Sequence, residues 1–231
     1  MIKRILIVLF SFFSLLTHGQ VYLGARTGYS VSSVEFTPTQ KEKSLFDDGL
    51  EIGLSFKHFD QQYVGFQSEI SIVRRGFRKP FEDTLTYKRI NSYIELPIFM
   101  QVRLENRGLF MHLNAGCYGA FLLNSVEGDN RTGGYIMQNY EFNILRDKRF
   151  DYGLIGTVGV GYETPLGVFQ IDFRYIWGLG DLYDHEYEGT PGRSPSRIQN
   201  LSFSYYWNLS KRKGKKSTPN EVNQKNDDIL E

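Results

Sequence analysis

Tyr93 to Leu104, read as Tyr-Ile-Glu-Leu-Pro-Ile-Phe-Met-Gln-Val-Arg-Leu, constrains this chain more than any other stretch. Ile94, Leu96, Ile98, Met100, Val102 and Leu104 take every second position, and Glu95, Gln101 and Arg103 lie between them. A period of two puts all the aliphatic side chains on one face of a strand, whereas a helix would scatter them around its axis. A β-segment of about 9 to 11 residues tilted near 45° crosses a bilayer, so the run is long enough to span one.

The same alternation returns seven more times. Val21–Val31 carries Leu23, Ala25 and Tyr29 on one face; Leu50–Lys57 carries Leu50, Ile52, Leu54 and Phe56; Tyr63–Ile72 carries Val64, Phe66, Ile70 and Ile72. Beyond the central run come Leu109–Leu123, Asp151–Glu163, Phe169–Trp177 and Leu201–Leu209, each with one apolar set opposed by Gly, Ser, Asn or charge. Eight strands are expected. Their connections alternate in length: short turns near Asp60, at Glu105-Asn106-Arg107-Gly108 and at Thr164-Pro165-Leu166-Gly167, against long polar segments at 35–48, 75–90, 125–149 and 179–198. Short turns on one rim and long loops on the other predict an all-β, eight-stranded antiparallel up-and-down transmembrane β-barrel, with the short turns in the periplasm.

Composition decides which way the two faces point. A soluble lipocalin-like barrel also has eight strands, but its apolar face points inward and its outer face must be well hydrated. Here the polar face is rich in Gly and Ser, and its charges cancel: Arg26, Lys57, Arg103 and Arg174 against Glu51, Glu69, Glu95 and Asp172. Eight strands leave room for side chains and little else, so these eight groups are expected as a paired network inside the lumen. The apolar set then faces lipid, with Tyr29, Tyr152, Tyr162, Tyr175, Tyr205 and Trp207 near strand ends as aromatic girdles. The mean hydropathy of −0.36 excludes a helical membrane protein but not such a barrel, whose strands show lipid only half their residues.

The chain opens as an exported protein does. Lys3 and Arg4 precede an apolar run from Ile5 to Leu16, and Thr17-His18-Gly19 supplies small residues at the positions read for cleavage before Gln20. The run is well short of the roughly 20 residues of a spanning helix, so residues 1–19 are expected to be a signal peptide and 20–209 the barrel. Cys117 is the single cysteine, which rules out an internal disulfide, and the cleavage site has no cysteine to lipidate. Residues 210–231 open with Lys211-Arg212-Lys213-Gly214-Lys215-Lys216 and turn polar, as expected of a disordered periplasmic tail.

Motifs for chemistry are sparse. The densest group, Asp181-Leu182-Tyr183-Asp184-His185-Glu186, sits in the last long segment, where a His beside carboxylates can serve as a base or the acids can gather a divalent cation weakly. No nucleophile or second His accompanies it, so a hydrated loop is the expected reading, with no catalytic, cofactor or metal residues. His112 reads as a hydrogen-bonded lumen residue. Gly156-Thr157-Val158-Gly159-Val160-Gly161 resembles a phosphate loop only in letters, because it lies inside an alternating strand with no helix after it. Asn130-Arg131-Thr132 matches a glycosylation sequon, and no role is expected of it. With 27 basic and 26 acidic residues the chain has no charge bias toward nucleic acid.

Several runs carry a family likeness: Phe66-Gln67-Ser68-Glu69, Tyr93-Ile94-Glu95-Leu96-Pro97, Ala115-Gly116, and Phe169-Gln170-Ile171-Asp172-Phe173-Arg174-Tyr175, after a signal peptide ending before Gln. This pattern resembles the PorT-like, porin-family outer-membrane β-barrel proteins typical of Bacteroidetes, across nearly the whole mature chain. The resemblance implies an outer-membrane location. It also implies, from the best-known member, a part in protein secretion by the type IX route, with outer-membrane lipid and secretion-machinery proteins as partners. A small pore and, further off, an outer-membrane enzyme are the other readings.

Overall fold

The structure, a computed structural model, describes residues 19–37, 45–61, 63–80, 85–131, 134–187 and 189–210. Except for Gly19 and Ser210, the expected signal peptide and the expected tail lie outside the described residues. Nine strands follow in order: β1 (Gln20–Val34), β2 (Leu45–Phe59), β3 (Val64–Pro80), β4 (Thr86–Asn106), β5 (Leu109–Asp129), β6 (Ile136–Asn139), β7 (Phe150–Glu163), β8 (Val168–Gly178) and β9 (Ser196–Asn208). Each pairs antiparallel with its neighbours, and β1 pairs with β9 and β4 with β5, so eight strands close into a ring. The four-residue β6 lies outside that ring, clipped to the loop end of β5 from Val126↔Asn139 to Asp129↔Ile136.

Closure satisfies the strand backbones on both sides, which is what a bilayer demands of β-structure. The faces then sort as the alternation requires. Leu96, Ile98, Met100, Val102 and Leu104 point outward from β4, while Glu95 and Gln101 are buried in the lumen beside Phe99 and Arg103. Tyr29, Tyr152 and Tyr175 ring the outside toward the loop end, and Tyr162, Tyr205 and Trp207 toward the turn end.

The turn end is tight. Arg107 and Gly108 join β4 to β5 with φ of 53° and 84°, the left-handed pair of a two-residue hairpin. The loop end differs from the reading of the sequence, because the strands run well past the apolar band. β3 continues to Pro80 and β4 starts at Thr86, so most of the expected loop at 75–90 is hairpin. Above the lipid the outer face of a strand no longer meets hydrocarbon and the inner face carries buried charge as well as apolar groups, so hydrophobic alternation, the strand signal used, fades there.

Two local devices shape the ring. Large inward rings lie over glycines of the next strand: Gly24 pairs with Tyr206, Gly161 with Phe110 and Gly153 with Tyr118, and a β-carbon at any of the three would collide with the ring or the neighbouring backbone. The second device is a β-bulge. Phe46 pairs with Phe77 and Glu51 with Val73, so residues 47–50 of β2 oppose only 74–76 of β3. Hydroxyls from β1 close the gap: Ser32 Oγ donates to the Gly76 carbonyl at 2.8 Å and accepts from the Gly76 N–H at 2.9 Å.

The lipid-facing assignment is testable at mid-height. Val158, outward on β7, replaced by Lys is expected to cost about 2–4 kcal/mol of folding stability in vesicles, read by urea titration of the heat-modifiable gel band. An unchanged midpoint would place that face in water.

Candidate functional site

The interior is stacked in layers from the turn end upward. At the bottom Tyr22, Phe59, Phe110, Val168 and Tyr206 pack together, with the Arg103 guanidinium 4.1 Å from the Phe110 ring centroid. Arg103 pairs with Glu105 and, at 2.9 Å, with Glu163. An aromatic floor thus closes the turn end.

Above it sits the charged layer. Arg26 lies 2.7 Å from Glu69 and 3.3 Å from Glu51, and Arg174 lies 3.0 Å from Glu69 and 3.6 Å from Glu51. Two guanidiniums and two carboxylates from four strands form a closed square, in which each charge touches both opposite ones. Its edges are satisfied by neutral groups: Arg26 donates to Ser202 and Asn200, Arg174 to Thr157, and Gln67 to Glu69. The outer face of Arg174 rests on the Phe99 ring, 4.9 Å from its centroid. Burying four charges costs several kcal/mol each unless they are paired and hydrogen-bonded; Glu69 accepts hydrogen bonds from both arginines, while Glu51 meets them as an ion pair alone.

The remaining members of the sequence-derived set are placed apart. Lys57 donates to Gln170 and stacks 3.9 Å over Tyr206; Gln170 donates in turn to Asp172 at 2.7 Å, so Lys57 reaches Asp172 through an amide. His112 Nε2 is 2.8 Å from Asp172. Glu95 belongs to a higher cluster around Arg75, which also lies 3.1 Å from Asp151, while Tyr118 donates to the same carboxylate at 3.0 Å. Arg75 and Asp151 were beyond sequence reasoning for different reasons: Arg75 fell in an expected loop, and Asp151 stood at a strand's first position with no side assigned. The inward sequence Val73, Arg75, Phe77 was the available signal for Arg75.

The loop end is closed by its own segments. Arg89, fully buried, lies 3.5 Å from the Tyr140 ring centroid, donates to the Tyr183 hydroxyl at 3.2 Å and sits 3.6 Å from Asp147. Tyr140 donates to Asp147 at 2.7 Å. Burial raises the Tyr140 phenol above its ordinary range although Arg89 opposes the shift, so the hydroxyl keeps the proton it donates. Leu182 packs with Val34 and Phe77, and Phe36, Tyr87 and Tyr183 lean on the group. Leu182 and Tyr183 therefore cover the mouth from the last long loop.

Asp181 and Asp184, from the group considered for catalysis, are engaged in that lid. Asp181 accepts from Arg193 at 3.1 Å and from the Ser194 N–H at 2.6 Å. Asp184 accepts the Glu186 N–H, the main cause of its lowered pKa, with Lys148 3.6 Å away. His185 and Glu186 are exposed. Among the described residues no group of three or more His, Cys, Asp or Glu is arranged to hold a metal ion.

A family model described as an outer membrane protein beta-barrel domain matches residues 17–184. No curated protein matches the chain. Among solved structures, Neisserial surface protein A is 13% identical with a TM-score of 0.45, covering 80% of this chain and 95% of that one. OprG from Pseudomonas aeruginosa is 11% identical with a TM-score of 0.46, covering 82% and 97%. Ail, the attachment invasion locus protein of Yersinia pestis, is 13% identical with a TM-score of 0.40, covering 80% and 98%.

The charged square is expected to be sensitive to loss of a single corner. Glu69→Leu leaves Arg26 and Arg174 sharing Glu51 alone and should lower unfolding free energy by about 3–5 kcal/mol, measured by urea titration in vesicles. A loss below about 1 kcal/mol would mean that water, not Glu69, carries those charges.

Proposed function

We propose, from the premise that the chain belongs to the outer membrane protein beta-barrel domain family, that this bacterial outer-membrane barrel works without enzymatic chemistry, as a structural or protein-secretion component. It acts through its loops and rims, with secretion-machinery proteins as partners, in the manner of PorT-like proteins of the type IX route in Bacteroidetes. One observation carries the reading: packed side chains occupy the lumen at three levels among the described residues, which favours the outside of the ends as the working surface. The aromatic floor, the Arg26–Glu51–Glu69–Arg174 square and the Arg89–Tyr140–Asp147–Tyr183 cluster stand at successive levels of a bore that, with eight strands, has room for side chains and little else. The resemblance of Tyr93-Ile94-Glu95-Leu96-Pro97 and its companions to PorT-like proteins supports the secretion role.

Two measurements test it. Reconstituted in planar bilayers, the barrel should show no steady conductance above that of the bare membrane; stepwise ionic currents would return the pore reading. Affinity capture of the tagged barrel from detergent-solubilised outer membrane should recover secretion components, and a clean preparation of the barrel alone would count against the role.

A further inference from the structure

The outer surface of β3 and β4 changes character abruptly at the loop end. Below the change it is aliphatic: Ile70 and Ile72 on β3 and Leu96 on β4 are exposed, and Leu50 and Ile52 of β2 stand beside them. Above it come Arg74, Arg78 and Lys88. Arg74 follows Ile72 by two residues, points outward, is exposed, and makes no ion pair among the described residues. Arg78 pairs across the ladder with Lys88, which sets two cations side by side on one face.

Like charges directly opposite on neighbouring strands repel. The fold holds these two together on purpose-built scaffolding. The β2 bulge sets the buried Asp47 against Gly76, where a β-carbon would stand 2.5 Å from the Asp47 carboxylate. From there Asp47 lies 2.9 Å from Lys88 and 3.4 Å from Arg78. One buried carboxylate orients two cations, and with Arg74 three cations stand against one carboxylate among the described residues at the upper edge of the apolar band.

We propose that this patch binds the phosphorylated sugar headgroup of an outer-leaflet glycolipid, with Arg74, Arg78 and Lys88 on phosphate and the acyl chains lying over Ile70, Ile72, Leu50 and Ile52. Both halves of such an amphiphile are matched at the right levels. Phosphate meets a cluster of charge-assisted donors, and hydrocarbon meets the aliphatic wall directly beneath. Arg74 and Arg78, four residues apart on one strand, give two anion contacts about 13 Å apart, suited to a headgroup with more than one phosphate. The site does not depend on the proposed secretion role, since it faces lipid and not the loops' upper surface.

The test uses the full barrel in nanodiscs of zwitterionic phospholipid doped with bisphosphoryl lipid A, scoring lipid A retained per barrel after chromatography. Retention should weaken about fivefold for each cation removed in Arg74→Gln and in the Arg74→Gln/Lys88→Ala pair. Arg107→Asn, which removes a cation at the opposite end, should retain lipid A as the parent does. Heat-modifiable migration verifies that each variant is folded, and Arg74→Gln, which breaks no contact among the described residues, decides the matter alone if the pair fails to fold. Equal retention by parent and Arg74→Gln would overturn the site. Displacement of lipid A by millimolar inorganic phosphate would overturn the lipid assignment.

Discussion

In hydrocarbon an unpaired backbone N–H or C=O finds no water, and that constraint governs the molecule. A sheet edge left open in lipid costs several kcal/mol per exposed group, so the chain must bring β1 back to β9, and it does so over thirteen residue pairs from Tyr22↔Asn208 to Val34↔Ser196. Closing after eight strands fixes the bore. A bore that narrow admits side chains and few waters, so everything placed inside has to be packed and electrically balanced.

The interior follows from that confinement. Glycines on one strand receive aromatic rings from the next, which lets Tyr206, Phe110 and Tyr118 lie across the lumen without spreading the strands. Between the aromatic layers the four-membered square of Arg26, Glu51, Glu69 and Arg174 spans the barrel from β1, β2 and β3 to β8. Such a cross-brace adds little net stability over an apolar filling of the same shape, but each corner is costly to lose, because its partners are left charged and dry.

The upper edge of the apolar band shows how local irregularity becomes a surface property. One extra residue in β2, accommodated by the Ser30 and Ser32 hydroxyls, sets the buried Asp47 against Gly76, from where it pairs with Arg78 and Lys88 above the apolar band.

The sequence alone determined the membrane-spanning strands and their two faces, because lipid outside and a narrow lumen inside impose a period of two that composition cannot hide. Turn and loop lengths then gave the up-and-down order. The burial of Arg26, Glu51, Lys57, Glu69, Glu95, Arg103, Asp172 and Arg174 was legible on the same ground, since each sits on the polar parity of its strand. What the tertiary structure alone decided is which of them meet. Strand tilt and stagger bring Arg174 to Glu69 across 105 positions and send Glu95 to Arg75, and no spacing along the chain encodes those distances. The strand extensions above lipid, β6 and the Arg89 cluster were equally hidden, because there the outer face no longer meets hydrocarbon and the inner face is covered by segments distant in sequence.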